Sequence, residues 1–250
     1  MVIKSACGKS GMEQTVASAT PKPLGYDGYS DWKNWDSFFQ FSPDDASYFE
    51  QEVPRLDLRQ KRLLEIGFGE GRFLAWARAQ GAEIEGMELD PRAVAAAVEA
   101  GITVITTDIA DHAANNGGRY TLVAALDVFE HLTIDQISDY LAATSGLLEP
   151  DGVLILRYPN GQSPFGLPQQ HGDVTHITAL SRAKIEQLAA RHGFVTERYA
   201  GSAVPRGTGL VRIVRWSRKL ARKAIGRVLN FVFGQDIVWD AVVTHVLRKR

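Results

Sequence analysis

Leu63-Leu64-Glu65-Ile66-Gly67-Phe68-Gly69-Glu70-Gly71 decides the fold class. An apolar strand runs into an acid, then into three glycines at alternate positions, then into the helix-forming run Arg72-Phe73-Leu74-Ala75-Trp76. Glycines at a strand-to-helix turn take positive φ without strain and let a ligand come close to the main chain. The unpaired N–H groups of the helix start then face that ligand. The turn predicts a nucleotide-like ligand at the end of this strand.

Outward from the turn, strands and helices alternate, which predicts a mostly parallel sheet covered on both faces. Strands are expected at 62–66, 83–88, 102–106, 120–126, 153–158, 194–199 and 238–247. Helices are expected at 71–80, 91–100, 133–147 and 181–192. Pro150-Asp151-Gly152 reads as a turn ahead of the fifth strand, and 159–177 as a long loop. Upstream, Ser42-Pro43-Asp44-Asp45 has the N-cap, first-turn proline and acids of a helix start. The chain divides into a disordered tail at 1–23, an aromatic-rich helical cap at 24–60 and a main domain at 61–250. The cap aromatics, from Tyr26 to Phe41, read as packing on the sheet or as a lid over a pocket.

Composition narrows the class. The 250 residues are 45% hydrophobic and 23% charged, as in an ordinary globular protein. A formal net charge of −1 gives no global reason to expect nucleic-acid binding. The single cysteine, Cys7, excludes an intramolecular disulfide and a cysteine metal cluster. No apolar run has the length of a membrane span or a signal peptide, so a cytoplasmic protein is expected.

The glycine spacing is Gly-x-Gly-x-Gly, whereas a nicotinamide-binding turn has Gly-x-Gly-x-x-Gly. Glu88 follows at the distance where a carboxylate can accept the hydroxyls of a ribose. Asp108 then ends the third strand, where it could take an adenine amino group. With Leu126-Asp127-Val128-Phe129-Glu130-His131-Leu132 after the fourth strand, this ordered set resembles the class I S-adenosylmethionine (SAM)-dependent methyltransferases over roughly residues 60–200. The resemblance implies a Rossmann-like, seven-stranded α/β sheet, mostly parallel with an antiparallel last strand. It also implies SAM as cofactor. Gly67, Gly69 and Gly71 would border its methionine part, Glu88 its ribose and Asp108 its adenine, with Glu65, Phe68, Leu89 and Ile109 also among the cofactor-binding residues. Leu126 and Asp127 would lie beside the sulfonium.

The acceptor is read from what is missing and from one loop. An Asn/Asp-Pro-Pro-Tyr/Phe motif for amino groups of bases is absent after the fourth strand, and no cysteine is placed for base C5 chemistry. Loop 159–176, with Pro159-Asn160, Ser163-Pro164-Phe165-Gly166 and Gly172-Asp173-Val174-Thr175-His176, resembles methyltransferases of bacterial surface-polysaccharide and O-antigen biosynthesis. The expected reaction is O-methylation of a sugar hydroxyl. Methylation of a quinone precursor or another small metabolite is the alternative, and a non-catalytic SAM-fold module the second. His176 is the preferred general base, Asp173 its orienting partner and His131 the second candidate base. The simpler reading of Asp173 and His176 is that they tie the loop together by hydrogen bonds. His171, Asp173 and His176 fix no metal geometry, and no metal is expected.

A basic stretch remains. Arg212, Arg215, Arg218, Lys219, Arg222, Lys223 and Arg227 interleave with apolar residues at helical spacing, in an insertion at 206–233 without an acid. Such a helix either lies on an anionic membrane surface through 210–233 or packs on the domain with a solvated cationic face.

Overall fold

The computed structural model describes residues 32–33, 35–106 and 108–250, so the tail expected at 1–23 lies outside the described residues. A seven-stranded sheet forms the centre, in the order β3-β2-β1-β4-β5-β7-β6. Its strands are β1 (Arg62–Ile66), β2 (Glu83–Met87), β3 (Thr103–Val104), β4 (Tyr120–Leu126), β5 (Leu148–Pro159), β6 (Phe194–Gly201) and β7 (Val242–Lys249). β1 to β5 pair in parallel, and β7 runs antiparallel to both β5 and β6, as expected for the last strand. The order reverses between β1 and β4, and their carboxyl ends open a crevice there.

Alternation along the strands builds two layers. Leu64, Ile66, Val123, Leu154 and Leu156 pack with Ile137, Leu141, Leu147 and Ile185. Those residues belong to α5 (Ile134–Leu147) and α7 (Arg182–Ala190). Leu63, Leu122, Ala124, Val153 and Ile155 point the other way, onto Phe49, Phe73 and Trp76. That face is covered by α1 (Pro43–Glu52) and α2 (Arg72–Ala79). α1 begins with a full capping box between Ser42 and Asp45, with Pro43 in its first turn.

Three expectations need correction. A helix unforeseen in the sequence, α4 (Ile109–Asn115), fills the segment between β3 and β4, and its N-cap is Asp108. Pro150–Gly152 does not precede the fifth strand but lies inside β5, where Asp151 has φ +60° and the pairing with β4 shifts register. Loop 159–177 carries a 3-10 turn at Pro164–Gly166 and the short helix α6 (Leu167–His171). α3 (Pro91–Glu99) falls where expected, opened by Asp90 accepting from the N–H groups of Arg92 and Ala93.

One buried histidine couples the antiparallel edge to pH. His245 on β7 is fully buried. Thr196 donates its hydroxyl proton to Glu186, so it accepts from His245 Nε2–H at 2.8 Å. The other nitrogen, Nδ1, is 3.0 Å from the Tyr158 hydroxyl. Burial lowers the imidazole pKa to about 4. An unfolded histidine titrates near 6.5, so between these values the unfolded chain binds a proton that the native chain does not. Stability should therefore be complete above about pH 6.5 and fall by up to about 3 kcal/mol toward pH 4. Urea unfolding across this window should show a shallower pH slope for His245→Gln than for the wild type.

Candidate active site

β1 ends against the glycine turn, and the backbone there leaves the region open to other residues. Gly67, Gly69 and Gly71 have φ of +67°, +52° and +70°. A Cβ on Gly67 would sit 2.6 Å from Val128 Cγ2, and one on Gly71 would overlap the Phe39 ring. Glu88, just past β2, clamps the turn: its carboxylate accepts from Gly69 N–H at 2.8 Å, and also from Leu89 and Asp90 N–H.

A cavity of about 540 Å³ opens over this turn. Glu65, Gly67, Phe68, Gly69, Glu88, Leu89, Leu126, Asp127 and His131 line it, together with Ile105, Thr106, Met87 and Tyr140. Asp108 and Ile109 are not among its lining residues. Asp108 accepts from Ala110 N–H at 2.8 Å as a helix cap, and Ile109 is buried in the core. Gly71 also lies outside the lining, beneath Phe39. From the cap, Lys33, Trp35, Tyr48 and Phe49 reach the cavity, while Phe49 also packs on Phe73 and Trp76. The aromatics thus both pack on the sheet and wall the cavity.

The expected cofactor can be tested against these groups. Glu65 is buried, and its Oε2 accepts no hydrogen bond among the described residues. Burial and the nearby Glu88 raise its pKa well above the usual carboxylate range, against a pull from Arg157. A ligand ammonium group would satisfy that oxygen, and the N–H groups of the turn and of α2 suit a carboxylate. Glu88 Oε1 already accepts two N–H groups, whereas Oε2 accepts one and retains acceptor capacity for a ribose hydroxyl. The residues fit SAM.

At the other end, sequence reasoning missed Arg157 on β5. It donates from Nε to Asp127 Oδ1 at 2.9 Å and from Nη2 to Asp127 Oδ2, and from Nη1 to the Tyr48 hydroxyl at 3.2 Å. Burial works against its charge, but Asp127 and Tyr48 more than offset this and raise its pKa. Asp127 has φ +58°, a strained conformation for a non-glycine residue that the forked pair with Arg157 helps to hold. The strand pairing aligns Leu126 with Arg157, the position beside Asp127, but a sequence alone does not give that register.

Of the expected catalytic residues, His131 lines the cavity, and Asp173 and His176 stand behind it. Thr175 donates its hydroxyl proton to Asp173 Oδ1 at 2.5 Å, and the same oxygen lies 2.9 Å from His131 Nδ1. A hydroxyl has one proton to give, so Thr175 accepts from Nδ1–H, and the lone pair of neutral His131 is on Nε2. Burial, reinforced by His176, lowers the His131 pKa and favours this neutral form. The two imidazoles meet edge-on at 4.6 Å. Burial opposes the Asp173 charge, but hydrogen bonds from Thr175 and pairing with Lys33 at 3.3 Å hold the carboxyl at about 2. Glu130 is wholly buried beside them, and burial followed by repulsion from Asp127 pushes its pKa well up. His171 is exposed at the end of α6, apart from this group.

If the clamp on the turn is also the ribose acceptor, Glu88→Ala should lower SAM affinity by about tenfold or more and reduce Tm. Calorimetric titration with SAM and a thermal melt read the two effects; an unchanged affinity would remove Glu88 from the binding surface.

Comparison with known proteins agrees with this geometry. Residues 41–199 match the family described as a methyltransferase domain. Over 98 residues the chain is 34% identical to a ubiquinone biosynthesis O-methyltransferase of Vibrio campbellii, covering 37% of this chain and 41% of that protein. The chain therefore spans well under half the length of this curated relative. A SAM-dependent methyltransferase from Archaeoglobus fulgidus superposes with a TM-score of 0.63 at 15% identity, over 90% of this chain and 99% of that one. The Burkholderia thailandensis 1,6-didemethyltoxoflavin-N1-methyltransferase, solved with its substrate and S-adenosylhomocysteine, gives 0.52 at 16% identity, over 90% and 83%. These structural likenesses carry the fold, and the family match runs from the start of α1 into β6. The chain belongs to the methyltransferase-domain family, and it has the Rossmann-like fold of the solved SAM-dependent methyltransferases it superposes on.

Proposed function

We propose that the protein methylates a hydroxyl group, and that the acceptor is a sugar of a surface-polysaccharide intermediate presented at an anionic membrane surface. The observation that carries the hydroxyl reading is the chain Asp173–Thr175–His131, which leaves the lone pair of neutral His131, a residue lining the cavity, on Nε2. A hydroxyl acceptor must lose a proton, and a neutral imidazole takes it near physiological pH. SAM supplies an electrophilic methyl group whose leaving sulfur keeps the bonding pair. The chain's own residues do the rest. Arg157 and Asp127 fix the floor beside the end of β4, Trp35 and Tyr48 narrow the access of water, and Asp173 orients the proton acceptor through Thr175.

The glycan reading draws on the polar loop at 159–176. A second reading, a phenolic hydroxyl of a quinone precursor, is favoured by the identity to the Vibrio enzyme over 98 residues. Assaying methyl transfer from labelled SAM to lipid-linked glycans, nucleotide sugars and catechols separates the two, and transfer to catechols alone would sink the sugar acceptor. His131→Ala should lower kcat by about 10²- to 10⁴-fold while SAM still binds.

The membrane part rests on α8 (Gly209–Phe233), 25 residues none of which is buried. Arg215 pairs with Asp44 at 2.8 Å, Arg222 reaches Asp240 at 3.5 Å, and Asn230 accepts from Trp239 Nε1 at 2.7 Å. At 100° per residue these anchors share one face, and Leu210, Ile213, Leu220, Val228 and Phe231 lie on the opposite one, with Ile225 on the flank. There Phe231 is 88% exposed, and Trp216, nearer the flank, is 65% exposed. The helix thus rests on the domain by its polar side and turns its apolar stripe outward, the reverse of simple packing. No described helix is long and apolar enough to cross a membrane. An apolar stripe flanked by arginines and lysines suits the surface of anionic lipids. Phosphatidylglycerol vesicles should sediment the protein in a salt-sensitive way, phosphatidylcholine vesicles should not, and Trp216→Ser with Phe231→Ser should weaken partitioning about tenfold. Equal partitioning of wild type and variant would refute this role.

A further inference from the structure

We propose that Glu130, His131 and His176 form a divalent transition-metal site just behind the cavity wall, where His131 lines the cavity. One ligand atom from each residue lies within 4.8 Å of the others. Their positions are set by different elements. Glu130 and His131 sit on the 3-10 turn Phe129–His131 after β4, and His176 on the loop after α6. Two backbone bonds join these segments, from Ile177 N–H and Thr178 N–H to the Glu130 carbonyl, both 3.0 Å.

The buried carboxylate makes the case. Glu130 has no exposed surface, and neither Oε1 nor Oε2 has a hydrogen-bond partner among the described residues. Its backbone is pinned, so the side chain has no short path to water. A buried carboxyl group with no partner is costly when ionised, so it either keeps its proton or takes up a cation or metal. The nearest lysine, Lys33, pairs with Asp173. His176 Nε2 lies 4.0 Å from Glu130 Oε1, and its buried Nδ1 also has no partner among the described residues. His131 brings a fixed tautomer: Nδ1–H is held by Thr175, which Asp173 holds in turn. Metal-ligating histidines are oriented in this way, with the second ring N–H donated to an outer partner.

Two imidazoles and a carboxylate suit Mn²⁺, Fe²⁺, Co²⁺ or Zn²⁺ better than Ca²⁺ or Mg²⁺. Ligand distances near 2.1 Å put tetrahedral ligand atoms roughly 3.4 Å apart, so binding requires the group, now within 4.8 Å, to contract by up to about 1.4 Å. Three protein ligands leave positions open for an acceptor oxygen, whose hydroxyl pKa the ion would lower. With the ion bound, His131 Nε2 would be a ligand and would no longer take the proton. The acceptor oxygen bonds to the methyl carbon, the carbon–sulfur bond breaks with its pair going to sulfur, and the hydroxyl proton, made more acidic by the ion, leaves to solvent. No electron is gained or lost by the ion. This catalytic role rests on the hydroxyl reading above; the binding of the ion does not.

The test uses the full chain stripped with EDTA and titrated with Mn²⁺ by electron paramagnetic resonance. Uptake of one equivalent is expected, with spin-echo modulation from imidazole nitrogen. Glu130→Gln and His176→Gln should each weaken uptake by about tenfold or more while SAM still binds. No stoichiometric uptake, no nitrogen coupling, or uptake unchanged in both variants overturns the site. Should either variant fail to bind SAM, the nitrogen signal of the wild type decides alone. Full transfer rate in stripped protein overturns the ion's part in the reaction. Stoichiometric, Glu130-dependent uptake without transfer to any hydroxyl would overturn the acceptor reading and leave the metal site standing.

Discussion

Glu88 holds the turn after β1 in a backbone path that glycine follows and other residues resist. Its carboxylate takes three N–H groups at once, one from the turn and two from the start of the next segment. The left-handed conformations at Gly67, Gly69 and Gly71 cost little only because no side chain is present. Remove the clamp, and the turn loses a side chain that ties it to the end of β2. The cavity floor, the aim of the α2 amides and the seat of Phe39 all follow from this arrangement.

The cavity is electrostatically divided. At the β1–β2 end, carboxylates and backbone N–H groups form a surface suited to a zwitterionic ligand. Toward β4 and β5, Arg157 and Asp127 neutralise each other in a forked pair, so that end presents little net charge. Behind it lies a pocket of histidines and acids with low exposure. Such a layout keeps the donor and acceptor ends chemically distinct although both open into one space.

Much of this was legible in the chain. The glycine spacing, the acid at the end of β2 and the alternation of apolar runs are local signals with a direct physical cause, and strands β1 and β4 fell where periodicity put them. Asp108 shows where local reading fails. An acid near a strand end serves equally as a ribose or adenine acceptor and as a helix cap, and the seven-residue α4 was too short to show a periodic stripe. Arg157 and Glu130 were passed over for another reason. Their importance comes from pairing across strands and from complete burial, and neither property is carried by spacing. The outward stripe of α8 was likewise undecidable, because an amphipathic pattern does not say which face meets the domain.

α8 is inserted between β6 and β7, the last antiparallel pair of the sheet, and it touches the domain mainly through polar contacts at Asp44, Asp240 and Trp239. Its apolar residues contribute nothing to the core. Sequence drift along its outer face is therefore free of the packing constraints that bind the strands. Under the membrane role proposed above, where the protein works and which bond it makes would be separately evolvable, one written on this outer helix and the other in the sheet.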